Sequence, residues 1–406
     1  MQLQQLGKLF KETSTKIEKE LIAIRRHLHK YPELSFQEYE TSTYVEKKLN
    51  EWGIENKRIG KTGIVAWIIG EKDKQSRKNR YTIALRADID ALPIKEETGL
   101  PFSSVHEGVM HACGHDGHTT ILLGAARILQ ENKKHFSGMV VCVFQPGEED
   151  DGAAREMIQL GVLENPKIDA MIALHLWPYL PFGKVGVRSG SMTASCDDFT
   201  IEVFGKSGHG ARPYEGVDAI SVSTQIMQTI QQFITKMNNP LHPIVVHIGK
   251  ITGGSARNIV ADYAVLEGTV RVLSLETRKN IVSEIKRIAK EVATIYHADA
   301  IVHFKNGIAP VINDQRLTNI VADAVSEQWG ANFVEELKEP SMGADDFGEF
   351  SIKVPSTYFR LGIKKEDEKA YSLHHPKFNF DDTLVSNGAA IFAYSAINAI
   401  NKMGDK

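Results

Sequence analysis

The chain has 406 residues, 42% of them hydrophobic and 24% charged, with a net charge of −3. That length favours two domains over one, and the near-neutral balance offers no basic surface for nucleic acid or an anionic membrane. No apolar run reaches the roughly 20 residues that span a bilayer, and the opening residues lack an apolar core of signal-peptide length. Three cysteines are too few for a disulfide framework, so the expectation is a cytoplasmic protein.

In chain order, Thr15 and Glu18 form a capping-box pattern, with Ile17, Leu21, Ile24 and Leu28 at helical spacing; Pro32 ends that helix. Ser35 and Glu38 repeat the pattern and open a second helix that stops at Gly53. Strands are expected over 64–69, 82–86, 139–144 and 170–174, with helices over 119–129 and 153–160 between them. Apolar strands alternating with helices indicate an α/β domain built on a mostly parallel sheet, covered on both faces. From about residue 184 the order changes. Strand 199–204, helix 218–237, strands 244–251 and 264–272, helix 277–296 and strand 300–304 make a β-α-β-β-α-β unit of the ferredoxin-like kind. Alternation resumes after Pro310. The expected architecture is a larger α/β domain, 1–183 and 308–406, interrupted by a smaller α+β domain, 184–307.

The run His111-Ala112-Cys113-Gly114-His115-Asp116-Gly117-His118 packs three imidazoles, a thiol and a carboxylate into one short stretch. Imidazole and thiolate are ligands that zinc, cobalt and nickel prefer. By itself the run could be a polar surface loop. Further along come an acidic turn, Gln145 to Asp151, and then His175 and His374. Asp88 closes one expected strand, Glu148 and Glu149 lie just past another, and His175 follows Leu174. In an open parallel sheet, ligands bind outside the carboxyl ends of the strands. Three strands thus deliver acids and imidazole to one rim. Adjacent glutamates in a turn can be a solvated loop; here one can bind metal while the other takes a proton from the reacting water. Cys142, in an apolar run, reads as a small buried hydrophobe, and Cys196 likewise.

These motifs, together with Arg86-Ala87-Asp88-Ile89-Asp90-Ala91-Leu92-Pro93, Gly208-His209-Gly210-Ala211-Arg212-Pro213 and Leu373-His374-His375-Pro376, resemble those of a metallo-amidohydrolase group. That group includes hippurate hydrolases, N-acetyldiaminopimelate deacetylases and auxin-conjugate hydrolases, relatives of aminoacylase and glutamate carboxypeptidases. The likeness runs from about residue 20 to about residue 400. It implies one or two divalent transition ions (zinc, manganese, cobalt or nickel) held by Cys113, His115, Glu149, His175 and His374, with Glu148 as general base. It implies an insert through which two chains dimerise, or assemble further into a tetramer, and a His209 that polarises the scissile carbonyl in the partner's site. Gly147 stands where the group usually has alanine, Asn258 lacks the usual following proline, and Asp345-Asp346 replaces Glu-Asp. None of these departures removes a ligand or the base.

Several roles stay open. His106, His111 and His118 suit positions beside the metal ligands or on the surface, and Asp88 and Asp116 could orient ligand imidazoles or cap structure. Asn258 and Arg271 could hold a substrate carboxylate, although Arg271 could equally be a surface charge of its strand. Gly343 could open a helix whose N–H faces an anion, or form a tight turn. The expected reaction is hydrolysis of the amide of a small N-acyl amino acid. The alternatives are a dipeptidase or carboxypeptidase on the same scaffold and an idle metal-binding protein. Retention of Glu148 beside the ligands speaks against the last.

Overall fold

The computed structural model describes residues 2–72, 81–150, 152–305, 307–366 and 370–404. Asp151, at the end of the acidic turn, lies outside the described residues. The fold divides into two compact units: Met1–Met192 with Ile312–Glu339 and Glu349–Lys406, and Thr193–Val311 with Pro340–Gly348.

In the larger unit, α1 (Leu3–Lys30) starts well before Thr15, whose hydroxyl donates to the Lys11 carbonyl inside the helix instead of capping it. Its buried stripe of Phe10, Ile17, Leu21, Ile24 and Leu28 is the expected helical repeat extended toward the N-terminus. Helix α2 (Tyr39–Glu51) begins after Ser35 and Glu38. Both of those side chains bond elsewhere, to Asp90 and to Gly147, so the capping-box reading gives way to a tertiary one.

The sheet takes β1 (Glu55–Ile59), β2 (Gly63–Ile69), β3 (Thr82–Asp88), β4 (Met139–Gln145), β5 (Ala170–Pro181), β6 (Val185–Val187), β7 (Val334–Glu336) and β8 (Ser356–Lys364) in the order β1-β2-β4-β3-β5-β8-β6-β7. The central run β4-β3-β5-β8 is parallel, while β1 and β2 add an antiparallel edge. Every residue of β3 is buried, as expected of a strand covered on both faces. The covering helices include α3 (His115–Glu131), α4 (Ala153–Gln159), α5 (Gln315–Trp329) and α6 (Leu384–Gly404), and α1, α3 and α6 pack on one another. Because β6 pairs with β8, the large sheet runs past residue 183.

The smaller unit holds four antiparallel strands in the spatial order Ile244–Gly253, Tyr263–Val272, Asp197–Phe204, Asp299–Phe304, with helices Ala219–Lys236 and Leu275–Ile295. This is the ferredoxin-like arrangement, closed over its own core of Phe199, Ile226, Leu266, Ile285 and neighbours. It also takes in residues 340–348, because Thr193 bridges Ser341 and the Ala194 N–H donates to the Gly343 carbonyl. Among the described residues, no helix is long and apolar enough to cross a membrane.

Candidate metal centre

The carboxyl ends of β3, β4 and β5 bring the candidate ligands of the larger unit to one rim. Gly114, at φ 91°, turns the chain into α3, so that His115 opens the helix beside the end of β3. The His115 Nδ1 lies 3.0 Å from the Asp90 carbonyl and 3.1 Å from its carboxylate, which fixes the ring as an Nδ1–H donor. Its Nε2 is buried with no hydrogen-bond partner among the described residues and faces Asp88, Glu148 and Glu149 oxygens at 3.8, 3.9 and 3.9 Å. A buried nitrogen lone pair facing three acids, with its tautomer pinned from behind, is what a cation requires of imidazole.

The same logic fixes His175. Its Nδ1 donates to the Leu176 carbonyl at 2.7 Å, and its Nε2 lies 3.4 Å from Cys113 Sγ. The Leu176 N–H in turn donates to His118 Nε2, and His118 Nδ1 lies 2.6 Å from Asp88. Both nitrogens of His118 are therefore engaged, and this histidine orients groups instead of presenting a lone pair. His374 sits at φ 63°, its N–H bonded to the Ala112 carbonyl, and its Nε2 is 3.2 Å from Glu149 Oε1. That oxygen is buried without a well-aligned hydrogen bond. The neighbouring His375 accepts the Lys377 N–H and stacks on Tyr371, which leaves His374 as the one facing the acids.

Cys113, His115 and His175 form one group whose donor atoms lie within 4.8 Å of one another, Cys113, Glu149 and His374 a second, and His115, Glu148 and Glu149 a third. Sulfur, imidazole nitrogen and carboxylate oxygen in one cluster suit zinc, cobalt, nickel or manganese better than magnesium or calcium. The electrostatics agree. Burial works against charge on His115, yet Asp88, Asp90 and Glu149 raise it to about 10, so a proton substitutes there for a cation. Burial, reinforced by Glu149, Glu148 and Asp88, pushes the Cys113 thiol well up. Burial also holds His175 well below its usual value, neutral and ready to donate a lone pair.

The acidic turn is clasped from behind. Glu38 Oε1 accepts the Gly147 N–H at 2.8 Å and the Phe36 N–H at 2.9 Å, while Oε2 accepts the Thr62 hydroxyl. Asp90 Oδ2 accepts the Glu149 N–H and the Ser35 hydroxyl. Sequence reasoning passed over Glu38 as a cap and did not single out Asp90; the signal for Asp90 was its alternation with Asp88 at a strand end. Asp116 holds Arg25 and His29 in a buried ion network, a structural role. His111 is buried with neither ring nitrogen bonded, and His106 caps the Pro32 carbonyl near the surface.

Four further candidates lie in the smaller unit. His209 is exposed in the short pairing of Gly208–His209 with Ile259–Val260, its Nδ1 accepting the Ala211 N–H. Asn258 is exposed and its carbonyl accepts the Gly210 N–H. Arg271 is half-buried, 3.4 Å from the Met342 carbonyl. The Gly343 N–H donates to Ser341 Oγ, and the helix nearby begins only at Phe347, so Gly343 sits in a turn before that helix.

A sheet that gathers thiol, imidazole and carboxylate at its carboxyl edge, in a chain that also holds a ferredoxin-like unit, defines a metallohydrolase. Comparison with known proteins makes that specific. Residues 84–398 match Peptidase family M20/M25/M40, and the chain belongs to that family. It is 39% identical to the N-acetyl-L-cysteine deacetylase of Bacillus subtilis, over 94% of this chain and 88% of that one. It is 38% identical to thermostable carboxypeptidase 1 of Saccharolobus solfataricus, over 95% and 97%. Among solved structures it resembles the YXEP protein of Bacillus subtilis, described as a dinuclear metal binding peptidase of the M20 family, with a TM-score of 0.81, 34% identity, and 94% and 98% of the two chains covered. The protein is a metal-dependent amidohydrolase.

Proposed function

We propose that the chain hydrolyses the amide bond of N-acyl amino acids, with Cys113, His115, Glu149, His175 and His374 holding one or two divalent transition ions and Glu148 acting as general base. The observation that carries this reading is His115 Nε2: buried, unbonded, its ring fixed by Asp90, and equidistant from Glu148 and Glu149. Divalent ions in such a set supply Lewis acidity toward water and toward the scissile carbonyl. Glu148, half-buried at the rim, takes the proton of the attacking water and returns it to the leaving amine. Asp90 and His118 fix the orientation of their neighbours, so little reorganisation accompanies reaction. His209 contributes an electrophilic N–H to the scissile carbonyl of a partner chain, and Asn258 and Arg271 contact the amino-acid half. The smaller unit pairs two chains into a homodimer; its edge strand Ile244–Gly253 leaves Val245 and Ile251 exposed, which such pairing would cover.

The carboxypeptidase relatives support a second reading, cleavage of peptides with a free amine. One panel separates the two. The metal-loaded protein is assayed against N-acetyl, N-benzoyl and longer N-acyl amino acids, with dipeptides alongside. Turnover of the acyl series at least tenfold above the dipeptides is expected; the reverse order would replace the first reading by the second.

A further inference from the structure

Arg360 carries a charge that the fold does not neutralise. It lies mid-way along β8, is 5% exposed, and its Nε and Nη2 have no hydrogen-bond partner among the described residues. No carboxylate contributes to its electrostatics, and burial lowers its basicity to about 10. A buried guanidinium without an anion is disfavoured relative to one left in water. Compare Arg25 and Arg86, equally buried, each bonded to an aspartate at 2.9 Å or less. Among the described residues, the other buried arginines are paired and this one is single.

Its surroundings are equally specific. The guanidinium carbon stands 3.6 Å from the centroid of the Trp177 ring. Stacking on an aromatic face fixes the plane of the fork. In the sheet, Arg360 pairs in parallel register with His175, so the two side chains leave the same face. Trp177 and Tyr358 follow by alternation, at 6.0 and 6.1 Å from the His175 ring. One face of β5 and β8 therefore runs from a candidate metal ligand to an oriented, unpaired cation.

We propose that Arg360, held flat on Trp177, is the carboxylate-recognition residue of the larger unit and binds the carboxylate of the acylated amino acid beside the metal cluster. The choice of substrate rests on the function proposed above; the anion site itself rests on Arg360. A planar fork matches a carboxylate in two parallel hydrogen bonds, which a lysine cannot reproduce. The bound anion repays the desolvation that the empty fold bears, so the residue is unfavourable for folding and favourable for binding.

The test uses the metal-loaded full chain with N-acetylalanine and its carboxamide as paired probes. Arg360→Met is expected to lower kcat/KM for the acid roughly 10- to 100-fold, mainly through KM, while leaving the carboxamide nearly unchanged. Arg360→Lys should fall between. The Met variant should melt no lower than the parent, since replacing an unpaired buried charge relieves a cost. An unchanged acid-to-amide ratio overturns the proposal, as does a Met variant that melts lower and loses both substrates alike. Arg271→Met is the control: loss of acid preference there, and not at Arg360, also overturns it. If the parent cleaves neither probe, calorimetric titration with N-acetylalanine decides. Binding weakened by Arg360→Met keeps the anion site while the proposed reaction fails; equal binding refutes the site.

Discussion

At the carboxyl edge of the large sheet, Cys113, His115 and His175 are buried, Glu149 is half-buried and His374 is exposed, and several of them are held by a named partner. His115 leans on Asp90, His175 on the Leu176 carbonyl, and the Glu149 backbone on Asp90. In the smaller unit, His209 and Asn258 stand exposed at the short pairing of Gly208–His209 with Ile259–Val260. Pre-organised and buried groups suit metal binding and charge stabilisation. Exposed groups on short pairings suit contact with something that arrives, whether substrate or a second chain. The two regions thus contrast a held centre with an exposed complement, and each side of that contrast can be broken separately.

The largest effect is expected at the fixed centre. Glu148→Gln should lower turnover by at least about a hundredfold, the low end for general acid–base catalysis, with metal content and melting unchanged. Glu149→Gln should instead reduce bound metal, measured by elemental analysis after dialysis. Exchanged phenotypes would reverse the assignment of the pair.

Next comes the complement. His209→Ala should cost about a hundredfold, by analogy with loss of an oxyanion-hole donor. Mixed with Glu148→Gln under conditions of subunit exchange, it should regain part of the lost activity, because one site of a mixed dimer keeps both groups. Proven exchange without recovery would confine His209 to its own chain.

The clasp behind the acidic turn gives a pH signature. Burial first, and Asp90 second, push the Glu38 carboxyl up from 4.5 to about 7. Between those values the folded chain holds a proton that the unfolded chain has released. Stability is then highest below about pH 4.5, falls as pH rises toward 7, and is flat above that. The full term is about 3 kcal/mol. In Glu38→Gln the amide oxygen can still accept both backbone N–H groups, and the slope disappears. Denaturant titrations should show the parent losing about 3 kcal/mol relative to this variant between about pH 4 and about pH 8. Parallel curves would mean that Glu38 ionises normally.

Much of the fixed centre was legible in the sequence, because metal-binding residue types are rare in combination and fell at the ends of apolar runs. The alternation of strands and helices gave the sheet and the ferredoxin-like order for the same reason: periodicity reports which faces are buried. What stayed hidden was tertiary. Ser35 and Glu38 match a local capping pattern and serve a distant loop instead. Val185–Val187 reads as the start of the insert and pairs with β8. Arg360 lies in a strand that the sequence patterns did not single out, and only burial reveals it. His209 in the smaller unit was named by resemblance, since an exposed side chain leaves no periodic trace. Asp90 is the sharpest omission, because it orients both His115 and the Glu149 backbone. Asp90→Asn should therefore weaken metal binding about 10- to 100-fold by competition with a chelator, and unchanged affinity would reduce it to a turn residue.

The smallest effect concerns one methyl group. Gly147 sits at φ 57°, and a Cβ built on it would meet the Phe36 ring at 2.8 Å. Phe36 is itself at φ 61°, with its N–H on the same Glu38 oxygen that accepts the Gly147 N–H. The turn and the clasp thus occupy left-handed backbone on both sides of one carboxylate. Gly147→Ala should cost about 1–2 kcal/mol for the left-handed conformation, with more for displacing the ring. Adding Phe36→Leu should recover the steric part and leave the backbone part, since contacting residues are not additive. Denaturant midpoints of the two single variants and the double variant measure the coupling. Turnover should fall with Gly147→Ala, because Glu148 and Glu149 follow directly on the shifted peptide. If Gly147→Ala is as stable and as active as the parent, the ring does not constrain the turn, and the acidic pair is positioned by Asp90 alone.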